Sequence, residues 1–199
     1  GAGEAYLPIL ESLGRLCREP DGGERVVKVL AQYAPTWLTQ MPSVIRAAEL
    51  RAVQRRAQGV TRERMLRELA EAVEVLAADA MLILRLEDLH WSDVSTLDWI
   101  ACVARRPERA RLLVIGTYRP VEALSRDHPL HTVKQELQLH RHCRELALRR
   151  LDEPEVVEYV TRRCPVGARQ SASLNRLARA IHARTEGTPL FLVNVVDDL

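Results

Sequence analysis

Two adjacent carboxylates, Glu87 and Asp88, follow directly on the apolar run Met81-Leu82-Ile83-Leu84-Arg85-Leu86. The run has strand length, and a turn and a helical pattern come after it. A strand buried in a parallel sheet reads as a near-continuous apolar run. Ligands of open α/β sheets sit just beyond the carboxyl ends of the strands. The acid pair would stand at that rim. Carboxylates there suit a hydrated Mg²⁺, which takes one or two of them plus substrate phosphates. One acid can hold the metal's shell while its neighbour orients a water. A strand that merely ends in solvated acids has the same local pattern, and the run alone does not separate the two.

The residues that follow are more specific. Glu87-Asp88-Leu89-His90-Trp91-Ser92-Asp93 leads into Ser95-Thr96-Leu97-Asp98. Then come Gly116-Thr117-Tyr118-Arg119-Pro120 and Glu186-Gly187-Thr188-Pro189-Leu190-Phe191. In this order the motifs resemble the nucleotide-binding domain of bacterial regulatory P-loop ATPases, the AAA+-related signal-transduction ATPases with numerous domains. The resemblance covers nearly the whole chain and makes residues 81–88 similar to a Walker B strand.

The resemblance implies a set of roles. Glu87 and Asp88 would be the metal-binding and catalytic acids, with Glu87 where relatives usually carry the metal-shell Asp. Thr117 and Arg119 would sense the γ-phosphate, and a guanidinium matches phosphate or carboxylate bidentately. A surface arginine in a turn before Pro120 is the plainer reading of Arg119. Gly187 and Pro189 would belong to the lid motif whose proline packs near the adenine. Locally they are also an ordinary helix stop and restart. His90, Trp91 and Asp93 would couple the phosphate end to neighbouring helices, with Trp91 structural. The cofactors implied are ATP or ADP with Mg²⁺. The implied partner is a linked regulatory or DNA-binding domain outside this chain, and an oligomer is compatible with this reading.

A phosphate-cradling loop needs G-x-x-x-x-G-K-[ST], because the Lys reaches the phosphates and the hydroxyl touches Mg²⁺. Lys28 and Lys134 are the only lysines, and neither has that context. The chain is therefore expected to start inside a domain and to be inactive alone. The expected fold class is α/β: a partial P-loop NTPase parallel sheet flanked by helices, followed by a helical lid subdomain. The expected domains are a partial nucleotide-binding core over 1–150, lacking the P-loop and first strands, and a lid segment over 151–199. The expected function is a nucleotide-switch module of a bacterial signalling or transcription regulator. The alternative is a non-catalytic interaction scaffold derived from such an ATPase.

Other constellations carry less. His128, His131, His140, His142 and Cys143 match no zinc-ligand spacing, and a solvated helix face is the better reading. No Ser-His-Asp set has a G-x-S-x-G context. The 199 residues are 47% hydrophobic and 28% charged, which suits a sizeable core and not disorder. Only two of the 29 basic residues are Lys, a composition bias more than a nucleic-acid surface. Aromatics at 4% give base stacking little support, so direct nucleic-acid binding is not expected. The widely spaced Cys17, Cys102, Cys143 and Cys164 suit a reduced cytoplasm. No apolar run is long enough to span a bilayer.

These candidates need elements to hold them. Helical spacing predicts helices over 5–18, 24–34, 61–78, 94–106 and 128–139, with residues 43–59 a loop or short helix. Trp37 is predicted to be a packing anchor. Thr61 and Asp93 are N-cap candidates. Strands are predicted at 81–86, 111–118 and 145–148, giving a parallel sheet. Arg85 is discordant within the first, pointing to an interface or snorkelling outward. Helices at 154–163, 171–185 and 189–198 follow.

Overall fold

The structure, a computed structural model, describes residues 5–106, 110–120, 128–164 and 171–198. The chain divides into two compact units, residues 1–144 and 145–199. Among the described residues it is mostly helical, with one two-stranded parallel sheet.

The first unit opens with α1 (Leu7–Cys17), α2 (Gly23–Tyr33), α3 (Pro35–Thr39), a short 3₁₀ turn at Pro42–Val44 and α4 (Ala47–Ala57). Proline at the first turn of α1 and α3 sits where a missing N–H costs nothing. α5 (Arg62–Asp79) is capped as predicted, with Thr61 Oγ1 accepting from the Arg64 N–H at 3.3 Å. Trp37 is fully buried; its indole N–H donates to the Met65 carbonyl at 2.8 Å, and Tyr6 meets its ring edge-on at 4.9 Å. Leu30, Leu38 and Leu69 are fully buried in the same core. Each such leucine stabilises the fold by roughly 1.5–3 kcal/mol relative to an exposed one.

β1 (Leu82–Leu86), a 3₁₀ turn (Leu89–Trp91), α6 (Val94–Ala104), β2 (Leu112–Gly116) and α7 (Pro129–Leu139) complete this unit. Asp93 caps α6: its Oδ1 accepts from the Thr96 N–H at 3.0 Å and from the Tyr6 N–H at 3.1 Å, tying α1 to α6. Leu82, Leu84 and Leu112 turn toward the helical core containing α5 and Trp99. Leu86, Leu89, Leu97 and Leu130 form a smaller core beneath the strand ends.

Two expectations fail here. Residues 145–148 form no strand, and Leu146 and Leu148 are more than four-fifths exposed. A strand exists only when a neighbour's backbone pairs with it, and alternation of leucines cannot supply that neighbour. Nor is the sheet covered on both faces: Ile83, Leu113 and Ile115 remain 43–56% exposed. The near-continuous apolar run therefore belongs to a sheet with one buried face.

The second unit holds α8 (Glu153–Arg163), α9 (Ser171–Thr185) and α10 (Pro189–Asp197). A capping box starts α8: Asp152 Oδ1 accepts from the Glu155 N–H at 3.0 Å, and Glu155 Oε2 accepts from the Asp152 N–H at 2.8 Å. Val156, Val160, Ala178, Ile181, Leu192 and Val196 make its core. Among the described residues no helix is long and apolar enough to cross a membrane.

Candidate functional site

β1 and β2 run parallel with Leu82 opposite Leu112 and Leu86 opposite Gly116, so their carboxyl ends emerge side by side. Three hydrogen bonds join the two segments beyond the strands. The Thr117 N–H donates to the Leu86 carbonyl at 3.0 Å, and the Leu89 N–H donates to the Thr117 carbonyl at 2.8 Å. The Asp88 N–H donates to Thr117 Oγ1 at 3.1 Å. The last bond uses the hydroxyl as an acceptor and does not consume its proton. Gly116 leaves room for Leu89, since a Cβ there would meet Leu89 Cδ1 at 2.4 Å.

Asp88 breaks the strand. Its backbone is left-handed, φ 52° and ψ 48°, a conformation that Asp tolerates better than most residues. The reversal carries the chain into the Leu89–Trp91 turn and leaves the Asp88 side chain 59% exposed. Glu87 is 63% exposed, and its Oε1 lies 3.4 Å from Arg85 Nη2. Arg85 thus points outward, and its charge is directed at one of the two acids.

The donor set suits Mg²⁺. Glu87 and Asp88 offer hard carboxylate oxygens in solvent. Among the described residues no group of three or more His, Cys, Asp or Glu is placed to hold a metal ion. Mg²⁺ commonly keeps several waters and takes phosphate oxygens beside one or two carboxylates.

His90 lies beside Asp88, its side chain 1% exposed and its Nε2 3.8 Å from Asp88 Oδ1. Its Nδ1 accepts from the Arg119 N–H at 3.3 Å. Arg119 itself is exposed at the same rim. Trp91, expected to be structural, is instead 77% exposed, with its ring 5.4 Å from that of His90. The turn places His90 inward and Trp91 outward.

Glu87, Asp88, Thr117 and Arg119 therefore meet at one rim. Gly187 and Pro189 lie in the second unit. Gly187 is left-handed at φ 67°, and a Cβ there would stand 1.8 Å from the Leu151 carbonyl oxygen. The Gly187 carbonyl accepts from the Leu151 N–H at 2.9 Å, and Pro189 opens α10. That segment has a complete structural account inside its own unit.

His128, one of the histidines expected only on a solvated helix face, reaches this rim. Its Nε2 lies 2.9 Å from the His90 carbonyl oxygen, and its Nδ1 accepts from the Leu130 N–H at 3.2 Å, capping α7. Its place immediately before Pro129, at a helix start, is a local cap signal. Its tie to His90 has no local signal. Among the described residues no disulfide joins Cys17, Cys102, Cys143 or Cys164. No protein-family model, no curated protein and no solved structure matches the chain.

Proposed function

We propose that this chain supplies the acidic rim of a Mg²⁺-nucleotide switch, as the partial α/β core and helical lid of a bacterial regulatory ATPase. The observation that supports this reading most is the meeting of Glu87 and Asp88 with Thr117 at the carboxyl ends of two parallel strands, where ligands of such sheets bind. Asp88, fixed through its backbone, is the better candidate to hold the metal's shell. Glu87, on a longer and more mobile side chain, is suited to orient a water. When bound, Mg²⁺ would neutralise charge on the phosphates of ATP or ADP. The Thr117 hydroxyl proton and the Arg119 guanidinium are donors suited to a phosphate oxygen. The chain carries no phosphate-cradling loop. ATP turnover is therefore expected of a longer gene product that includes one, acting on a linked regulatory or DNA-binding domain.

The second reading is a non-catalytic interaction scaffold. The exposed Ile83, Leu113 and Ile115 on one face of the sheet favour it, because apolar groups gathered on a surface mark contact sites. The discriminating experiment is ATP binding and turnover by the full gene product with Mg²⁺. Under the switch reading Asp88→Asn and Glu87→Gln each reduce turnover by roughly a hundredfold or more. Turnover unchanged in both variants removes the acid pair from catalysis. An absence of nucleotide binding in the full product leaves the scaffold reading.

A further inference from the structure

The geometry assigns His90 and His128 as a paired positioning latch that joins the acidic rim to the start of α7. This inference rests on the reading of Asp88 as the cation-facing acid; the latch itself is built from hydrogen bonds independent of that reading. Each imidazole uses Nδ1 as an acceptor for a backbone N–H, His90 from Arg119 and His128 from Leu130. An imidazole that accepts at Nδ1 carries its proton at Nε2. His128 therefore donates from Nε2 to the His90 carbonyl oxygen at 2.9 Å. By the same logic His90 carries its proton at Nε2, which lies 3.8 Å from Asp88 Oδ1, too far for a hydrogen bond.

The result is one connected path. The His90 ring, close to Asp88, holds the backbone of Arg119. The His90 carbonyl holds the His128 ring, which caps α7. Two further contacts press α7 onto the same rim. Leu130 is buried with Leu86, Leu89 and Leu97. Lys134 Nζ donates to the Tyr118 hydroxyl at 3.0 Å and lies 5.3 Å from its ring centre. A displacement of the Leu89–Trp91 turn on ligand binding would move the His90 carbonyl, and the His128 bond passes that movement to the first turn of α7, beside the Leu130 packing. Both histidines act through other residues, so they position the rim and are not catalytic.

The two bonds of His128 separate by substitution. Asparagine reproduces the Nδ1 acceptor through Oδ1 and is a strong N-cap. Glutamine reproduces the Nε2 donor through its longer amide. The test is long-range ¹H–¹⁵N NMR of the imidazoles and backbone amides in the 199-residue chain, with Mn²⁺ as the probe of the acids. Both rings are expected as Nε2–H tautomers. His128→Asn should keep slow hydrogen exchange at the Leu130 amide while shifting the amides of Asp88, Leu89 and Thr117. His128→Gln should do the reverse, with Leu130 exchange rising roughly fivefold and the rim amides unmoved. An Nδ1–H tautomer in either ring, or rim amides that respond alike to both substitutions, overturns the latch. Mn²⁺ broadening centred on Glu87 and Asp88 is read separately. Its absence with the expected tautomers and variant pattern rejects the cation reading while the latch stands.

Discussion

The backbone N–H of Asp88 donates to the side-chain hydroxyl of Thr117 across 3.1 Å, stitching two turns that are 29 positions apart in the chain. This bond holds the left-handed Asp88 in a conformation that costs an L-residue roughly 1–2 kcal/mol. Replacing the hydroxyl should therefore loosen the rim without touching the core. Thr117→Val keeps the shape and loses the acceptor, and is expected to cost about 1 kcal/mol. Thr117→Ser should stay within ~0.5 kcal/mol of the parent. Urea unfolding, with hydrogen exchange of the β1 amides as the local probe, distinguishes them. Equal stability of the Val and Ser variants would show that the bond contributes nothing.

Gly187 offers a contrast with Gly59. Both are left-handed, at φ 67° and 70°, but only Gly187 has backbone where a Cβ would go. Gly59→Ala should cost only the backbone penalty of roughly 1–2 kcal/mol. Gly187→Ala must also part the Leu151 contact and break its hydrogen bond, and should cost at least about 1 kcal/mol more. The measurement is hydrogen exchange in α8 and α10 beside urea unfolding. If the two variants are equally stable, the close approach of Leu151 is not a constraint.

Much of this architecture is legible in local chemistry, and the failures share one cause. Thr61 and Asp93 are short-range signals that reach only a helical turn, and each makes the predicted N-cap. The acid pair following an apolar run also reads locally, because a strand's end and the chemistry beyond it are contiguous in the chain. Leu146 and Leu148 have the alternation of a strand, but strand formation needs a neighbour that alternation cannot name. Arg85 is discordant in sequence until the exposed face and Glu87 are seen together. His128 reaches His90 across 38 positions, and no pattern in either neighbourhood encodes that meeting.

Cys17 gives a pH-dependent readout. Burial raises its thiol from the ordinary 9.0 to about 11, against a smaller opposing effect of the neighbouring Arg18. The folded state therefore retains a proton that the unfolded state releases between those values. Stability is unaffected by this group below about pH 9 and falls as the pH rises toward 11. Cys17→Ser should flatten that part of the profile. Alkylation of Cys17 at pH 8 should be at least roughly tenfold slower in the folded chain than in urea, since the thiolate is the nucleophile. Equal alkylation rates would mean that the thiol is not sequestered.

Arg85 sets the competition for Glu87. Its guanidinium lies 3.4 Å from the carboxylate, with both side chains more than three-fifths exposed. Between unit charges about 4 Å apart in water the interaction is only about 1 kcal/mol, so a divalent ion can displace the arginine. Removing the arginine eliminates both the competing contact and a positive charge beside the site. Arg85→Ala is expected to tighten Mn²⁺ binding by roughly threefold to tenfold at low salt, with less gain at 0.5 M salt because screening weakens the repulsion. Arg85→Lys should stay near the parent affinity, as it keeps the charge. Titration calorimetry on the 199-residue chain measures all three proteins. An Arg85→Ala variant that binds no more tightly than the parent would remove Glu87 from the proposed cation site.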